Sequence, residues 1–188
     1  MLITFHGGGI NSKKKLKKGE IIMNIFVLNK CPTISAQEMI DKHVIKMPTE
    51  SMQMISTTLD YLRLPCPYKP VMLNHPCTIW ARESKDNFQW LVSHCQALCK
   101  EYTLRYNKTH KVETTLSEYE VYLDLAMDYL PDVGLTPFAQ AMPDSLKNDD
   151  ACIAYQNYYL NNKWPFASWK TEMPKWWPHD HIQKMRTR

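Results

Sequence analysis

DKHVIKMPTE (residues 41–50) is the stretch on which the reading of this chain turns. A histidine and a glutamate stand seven apart in it. Seven residues make about two turns of α-helix, so His43 and Glu50 share one helix face. Lys46, three after the histidine and four before the glutamate, falls on the same side. Pro48 has no N–H to donate and bends or restarts the helix just before Glu50. An acid, a base and a cation are thereby drawn into one small volume. A His and a Glu on a helix face also describe an ordinary solvated surface, and the remainder of the chain has to separate the two.

Outward from that stretch the hydrophobic spacing is mostly helical. NIFVL (24–28) reads as a short apolar strand-like or extended start. Ser35 with Glu38 has the form of a capping box, followed by Met39, His43, Val44 and Met47 on one side. After Pro48 a second run places Met52, Ile55, Leu59 and Leu62 at helical spacing. RLPCPYKPVMLNHP (63–76) holds four prolines and reads as loop. A long helix capped near Ser84 follows, with Phe88, Leu91, Cys95, Leu98 and Tyr102 as its stripe. Thr115 and Glu118 form another capping box, and the helix after it ends at Pro131. Residues 131–147 read as a proline-broken loop, and Asn148 or Asp149 starts a last helix through Tyr155, Tyr158 and Tyr159. The Trp- and Pro-rich tail, 164–181, is expected to wrap the body as an outer layer. The fold class is therefore mainly α: a single-domain helical bundle with long Pro-rich loops.

The 188 residues suit one domain with a sizeable core. Residues 1–22 look unlike the rest, with three consecutive glycines and five lysines. They contain no continuous apolar run of the kind a signal peptide needs. KKGEII before Met23 is also what a purine-rich ribosome-binding site yields when translated. Residues 1–22 are thus expected to be untranslated leader or disordered tail, and 23–188 the single helical domain. The whole chain has 23 Lys+Arg and 19 Asp+Glu. Without Lys13, Lys14, Lys15, Lys17, Lys18 and Glu20 the counts become 18 and 18. A near-neutral body argues against a grip on long DNA by phosphates alone and toward a small substrate. The six cysteines are scattered without a CxxC pair, which points to reduced thiols. His94, Cys95 and Cys99 match no common zinc spacing, and both cysteines fit a helix's apolar face; neither metal nor cofactor is expected. No apolar stretch approaches the length of a membrane span.

Two further clusters carry chemistry-bearing side chains. In LNHPCTIWARES (73–84), Asn74, His75, Trp80, Arg82 and Glu83 lie within ten residues. A loop entering a helix offers free N–H groups to an anion, Arg82 suits a phosphate and Trp80 a base. The same residues read equally well as structure, with Trp80 in the core and Arg82 paired to Glu83 or Asp86. In TPFAQAMPD (136–144), Phe138 is placed to stack on a base and Gln140 to read its edge, or the loop simply covers the core.

With these residues in view, the chain resembles the phage pyrimidine-dimer DNA glycosylase family, the small α-helical glycosylase/AP-lyases of T-even phages. The resemblance runs over roughly residues 23–106. It rests on Asp41, His43 and Glu50, which fall on the family's Asp-x-His and its catalytic glutamate seven residues later. Asn74, His75, Trp80, Phe88, Leu91, Leu98 and Glu101 fall on its histidine loop and long helix. It implies a glycosylase-like helical fold, catalysis by Glu50, a tailed-phage source and action in the cytoplasm of an infected bacterial host. Two departures stand out. Thr49 occupies the place of the family's arginine, and the family's N-terminal amine corresponds to Met23 or Asn24.

The expectation is an N-glycosidase with Glu50 and His43 catalytic. Lys46, Asn74, His75, Trp80, Arg82, Phe138 and Gln140 would bind the nucleotide or nucleic-acid substrate. The favoured substrate is a small cyclic dinucleotide immune signal destroyed in counter-defence. Damaged or modified DNA, such as pyrimidine dimers, is the alternative, and a non-catalytic nucleotide sponge the next.

Overall fold

One 21-residue helix, Asp41–Tyr61, carries the whole decisive stretch and passes through Pro48 without ending. The computed structural model describes residues 23–178. The leader expected over 1–22, and residues 179–181 of the tail, lie outside the described residues. Seven α-helices are present there: α1 Pro32–Glu38, α2 Asp41–Tyr61, α3 Pro76–Glu83, α4 Lys85–Tyr106, α5 Lys111–Glu118, α6 Glu120–Tyr129 and α7 Ala151–Tyr158. The described residues contain no strand, so the mainly α fold stands.

Helix α4 is the hub and packs most extensively on α2 and α1. Its stripe of Phe88, Leu91, Cys95 and Leu98 is fully buried against Met47, Met52, Ile55 and Leu59 of α2. Both ends of α4 are closed locally. Ser84 accepts the Asn87 N–H at 3.1 Å, and Asn107 ends the helix with a left-handed φ of 51°. A short 3₁₀ turn (Asp144–Leu146) precedes α7, and a π-helical turn (Tyr159–Lys163) and a second 3₁₀ turn (Trp164–Phe166) follow it.

Several expected boundaries move. Residues 24–28 are buried but irregular, and pair with no strand. Ser35 does not cap; it sits inside α1, accepts the Leu28 N–H at 3.1 Å and holds this segment down. Pro32 starts α1 instead. Thr115 lies inside α5, whose cap is His110, its Nδ1 accepting the Val112 N–H at 3.2 Å. Residues 76–83, expected as the end of a loop, form α3. Asp150 caps α7 by accepting the Cys152 N–H at 2.8 Å, one residue beyond the expected start.

The tail does wrap the body over its described part. Trp177 is buried, and the Trp169 indole donates to the Glu38 carbonyl at 3.0 Å. Asp41 at the start of α2 anchors this return. Its carboxylate accepts from the Ser168 hydroxyl at 2.9 Å and the Lys170 N–H at 3.0 Å.

Candidate functional site

Glu50 faces inward and is 3% exposed. The N-terminal segment meets its helix there, and the Asn24 N–H donates to Glu50 Oε2 at 3.3 Å. Lys46, one turn earlier on α2, forms an ion pair with Oε1. Burial nevertheless dominates and raises the Glu50 carboxyl above its ordinary value, against the pull of Lys46, Asn24 and Lys163. A carboxylate in this state is poorly solvated and has lone pairs left for a substrate.

The Asn24 side chain locks the crossing segment. Its carbonyl accepts the N–H groups of Ile25 at 2.8 Å and Phe26 at 3.1 Å, and its amide donates to the Ala141 carbonyl at 2.8 Å. Phe26 then takes a positive φ of 41° and lays its ring on the His43 imidazole, with centroids 4.3 Å apart. His43 Nδ1 meets the Tyr159 hydroxyl at 2.6 Å. Burial, with the positive charges of Lys163 and Lys46, pushes His43 down to about 3. The imidazole is therefore neutral at physiological pH. The expected roles of a cation or acid at this position are corrected: His43 is a neutral group held by Phe26 and Tyr159.

A residue not singled out from the sequence closes the site. Lys163, on the π-helical turn, lies over the rings of Tyr158 at 4.7 Å and Phe26 at 5.6 Å. Burial and the Lys46 charge lower its pKa, and Glu50 opposes them. Only the return of α7 to the N-terminal segment brings it here, more than a hundred residues from Glu50. Inserted turns of this π type often mark functional positions.

Helix α2 and its neighbours thus gather His43, Lys46 and Glu50, together with Asn24, Phe26, Tyr159 and Lys163. The other expected binding residues are employed elsewhere. Trp80 is 2% exposed, packs on Trp90 and Phe138 at 5.9 and 5.2 Å, and donates its indole N–H to the Thr136 carbonyl at 3.4 Å. Its faces are occupied, so base stacking by Trp80 is corrected to a core role. Phe138 is consumed in the same cluster, 4.9 Å from Trp90. Gln140 bonds both polar ends to Asn148, at 2.6 and 3.0 Å, and closes its own loop. His75 caps α3 by accepting the Cys77 N–H at 3.2 Å, while the neighbouring Asn74 is exposed. Arg82 donates to the Leu73 carbonyl at 2.6 Å and lies over Tyr61 at 4.9 Å, rather than pairing with Glu83 or Asp86. Except at the exposed Asn74, a partner within the fold satisfies a group that, in sequence, looked free for a ligand.

Among the described residues no group of three or more His, Cys, Asp or Glu is arranged to hold a metal ion. No helix there is long and apolar enough to cross a membrane.

Residues 23–114, just under half of the chain, match the model of a family described as pyrimidine dimer DNA glycosylase. Neither the curated proteins nor the solved structures yield a match. The matched span begins at Met23, takes in α1 to α4 with Asn24, His43, Lys46 and Glu50, and stops short of Lys163.

Proposed function

We propose that this chain cleaves the N-glycosidic bond joining a base to its sugar, with Glu50 as the catalytic carboxylate, because residues 23–114 match the model of the pyrimidine dimer DNA glycosylase family. Breaking that bond builds positive charge on the sugar and negative charge on the departing base. An ionised Glu50 facing the anomeric carbon stabilises the first, or deprotonates the attacking water. Lys46 favours the ionised form, and the Asn24 N–H fixes its orientation. His43, neutral and pinned to Tyr159, shapes the wall beside the carboxylate. The observation that carries this reading is the burial of Glu50 with a raised pKa and with few partners for its oxygens.

The substrate we favour is DNA bearing a damaged or modified base, in keeping with the family. A second reading is a small cyclic dinucleotide, cleaved by the same chemistry as phage counter-defence in the cytoplasm of an infected bacterium. It is supported by the balance of 18 basic and 18 acidic residues outside the first 22. A protein that holds duplex DNA through several phosphates loses affinity steeply with salt, whereas a dinucleotide binder does so far less.

One panel tests both. Oligonucleotides carrying pyrimidine dimers or other altered bases, and a set of cyclic dinucleotides, are incubated with the protein, and free base is scored by mass spectrometry. Release from the oligonucleotides supports the DNA reading, and release from the dinucleotides alone supports the second. The absence of free base from every substrate, with the nucleotides bound but intact, would leave a sponge and sink the enzyme.

A further inference from the structure

The hydrogen bonds around Glu50 lead out of the family-matched span and end on one tyrosine of α7. Tyr155 is fully buried. Its hydroxyl donates to the Ala139 carbonyl at 2.8 Å and accepts the Ala141 N–H at 3.2 Å. Those two bonds hold an otherwise irregular loop in place, and its Ala141 carbonyl accepts the Asn24 side-chain amide at 2.8 Å. Asn24 in turn fixes Ile25 and Phe26 through its side-chain carbonyl, and its nitrogen donates to Glu50 Oε2 at 3.3 Å. The Tyr155 ring reaches the other wing of the site. It packs edge-on against Phe26, with centroids 5.8 Å apart, and Phe26 stacks on His43.

We propose that Tyr155 is a positioning residue that sets the orientation of the Glu50 carboxylate through the 139–141 loop and Asn24. This rests on the glycosidase reading of Glu50. It adds that the geometry of the family-matched half is set by residues beyond it. The Tyr155 hydroxyl is engaged by two backbone groups and takes no part in bond breaking. Glu50 has few restraints of its own, one long bond to Asn24 and one flexible lysine. A displacement of about 1 Å is enough to slow a reaction that needs a carboxylate aimed at one carbon. The Asn24 bond also pulls the Glu50 carboxyl down against burial, so slackening it should let that carboxyl rise further.

Tyr155→Phe keeps the ring and deletes only the hydroxyl. Carbon-13 NMR of the glutamate carboxyls of the full chain reads Glu50 without any substrate, its signal assigned by its loss in Glu50→Gln. The Glu50 midpoint should move up in Tyr155→Phe. On an oligonucleotide duplex carrying one pyrimidine dimer, kcat for glycosidic cleavage should fall about 10- to 100-fold with KM little changed. The acid limb of kcat should move to higher pH, because Glu50 works ionised. Asn24→Ala cuts the same chain of bonds at its other end, away from α7, and should reproduce both effects. The double variant should be no slower than the worse single one, since both break one linkage. Failure of Tyr155→Phe to fold, an unmoved or lowered Glu50 midpoint in either variant, a loss confined to KM, or losses that multiply in the double variant would overturn the proposal. A wild type that cleaves no substrate, with the upward shift of Glu50 present in both variants, removes the glycosidase reading and leaves the hold of Tyr155 on the carboxylate standing.

Discussion

Helix α2 carries two buried carboxylates, Asp41 and Glu50, and the fold treats them in opposite ways. Asp41 accepts from Arg105 at 3.0 Å, from the Ser168 hydroxyl and from the Lys170 N–H. Arg105 is itself saturated, reaching Glu101 at 2.7 Å and the carbonyls of Met39 and Gln37 at 2.8 Å each. The charges there are closed in by partners and tie α1, α2, α4 and the tail together. Glu50 has one long backbone bond and one flexible lysine. Its raised pKa records the missing solvation. Architecture uses complete ionic networks, and chemistry needs an incomplete one, because unsatisfied lone pairs are what a substrate meets.

Glu50→Gln should separate the two most sharply. Base release should fall by about 10²- to 10⁴-fold. Because burial raises the Glu50 pKa, its contribution to stability is full below the ordinary carboxylate value and drains as pH rises through the raised one. The neutral glutamine escapes that loss, so the variant should melt at or above the wild-type temperature at neutral pH, and calorimetry reads this directly. Near-normal turnover would remove Glu50 from the mechanism.

Arg105→Met is the mirror experiment. It strands Asp41 and Glu101 and should cost about 3–5 kcal/mol by urea denaturation. A loss well under 1 kcal/mol would show that the network is not the brace described.

The two buried histidines set the acid limb of stability. His43 and His94 are each lowered from 6.5 to about 3 by burial. A depressed histidine takes up protons in the unfolded chain and not in the fold. Stability is therefore full above the unfolded value of 6.5 and drains as pH falls toward 3. Each should contribute about 1.4 kcal/mol per pH unit within that window. His94, stacked on Trp90 with neither ring nitrogen bonded, lies outside the site. His94→Phe should remove about half of the slope without changing base release, and an unaltered slope would place the acid sensitivity elsewhere.

The smallest effect is expected at the cap of α7. Asp150→Ala should cost about 1 kcal/mol. Since α7 leads into the turn that holds Tyr159 and Lys163, turnover should drop a few-fold while Glu50 keeps its environment. A fully retained rate would mean that the approach of Lys163 does not depend on the cap.

Periodicity, proline placement and the spacing of His43, Lys46 and Glu50 are local properties, and local rules read them correctly. Helices α2, α4 and α7, most of the 63–76 and 131–147 loops and the shared face of α2 were legible for that reason, whereas α1, α3 and α5 were not. Cap assignments failed at Ser35, whose hydroxyl is taken by the Leu28 N–H, and at Thr115, which lies inside α5 and donates to the Lys111 carbonyl. Trp80, Phe138 and Gln140, expected to bind substrate, are engaged within the fold for a related reason. An aromatic or amide side chain looks the same in sequence whether its partner is a ligand or Thr136, Trp90 or Asn148.

The amino-acid sequence by itself determined that the chain is helical and that an acid, a base and a cation line one side of α2, because those follow from spacing along the chain. Only the tertiary structure decided that Glu50 is buried and under-solvated, that His43 is neutral, and that Lys163 joins them. Burial and the meeting of residues 24, 50 and 163 depend on how the N-terminal segment and α7 pack across α2, and no spacing along the chain encodes that.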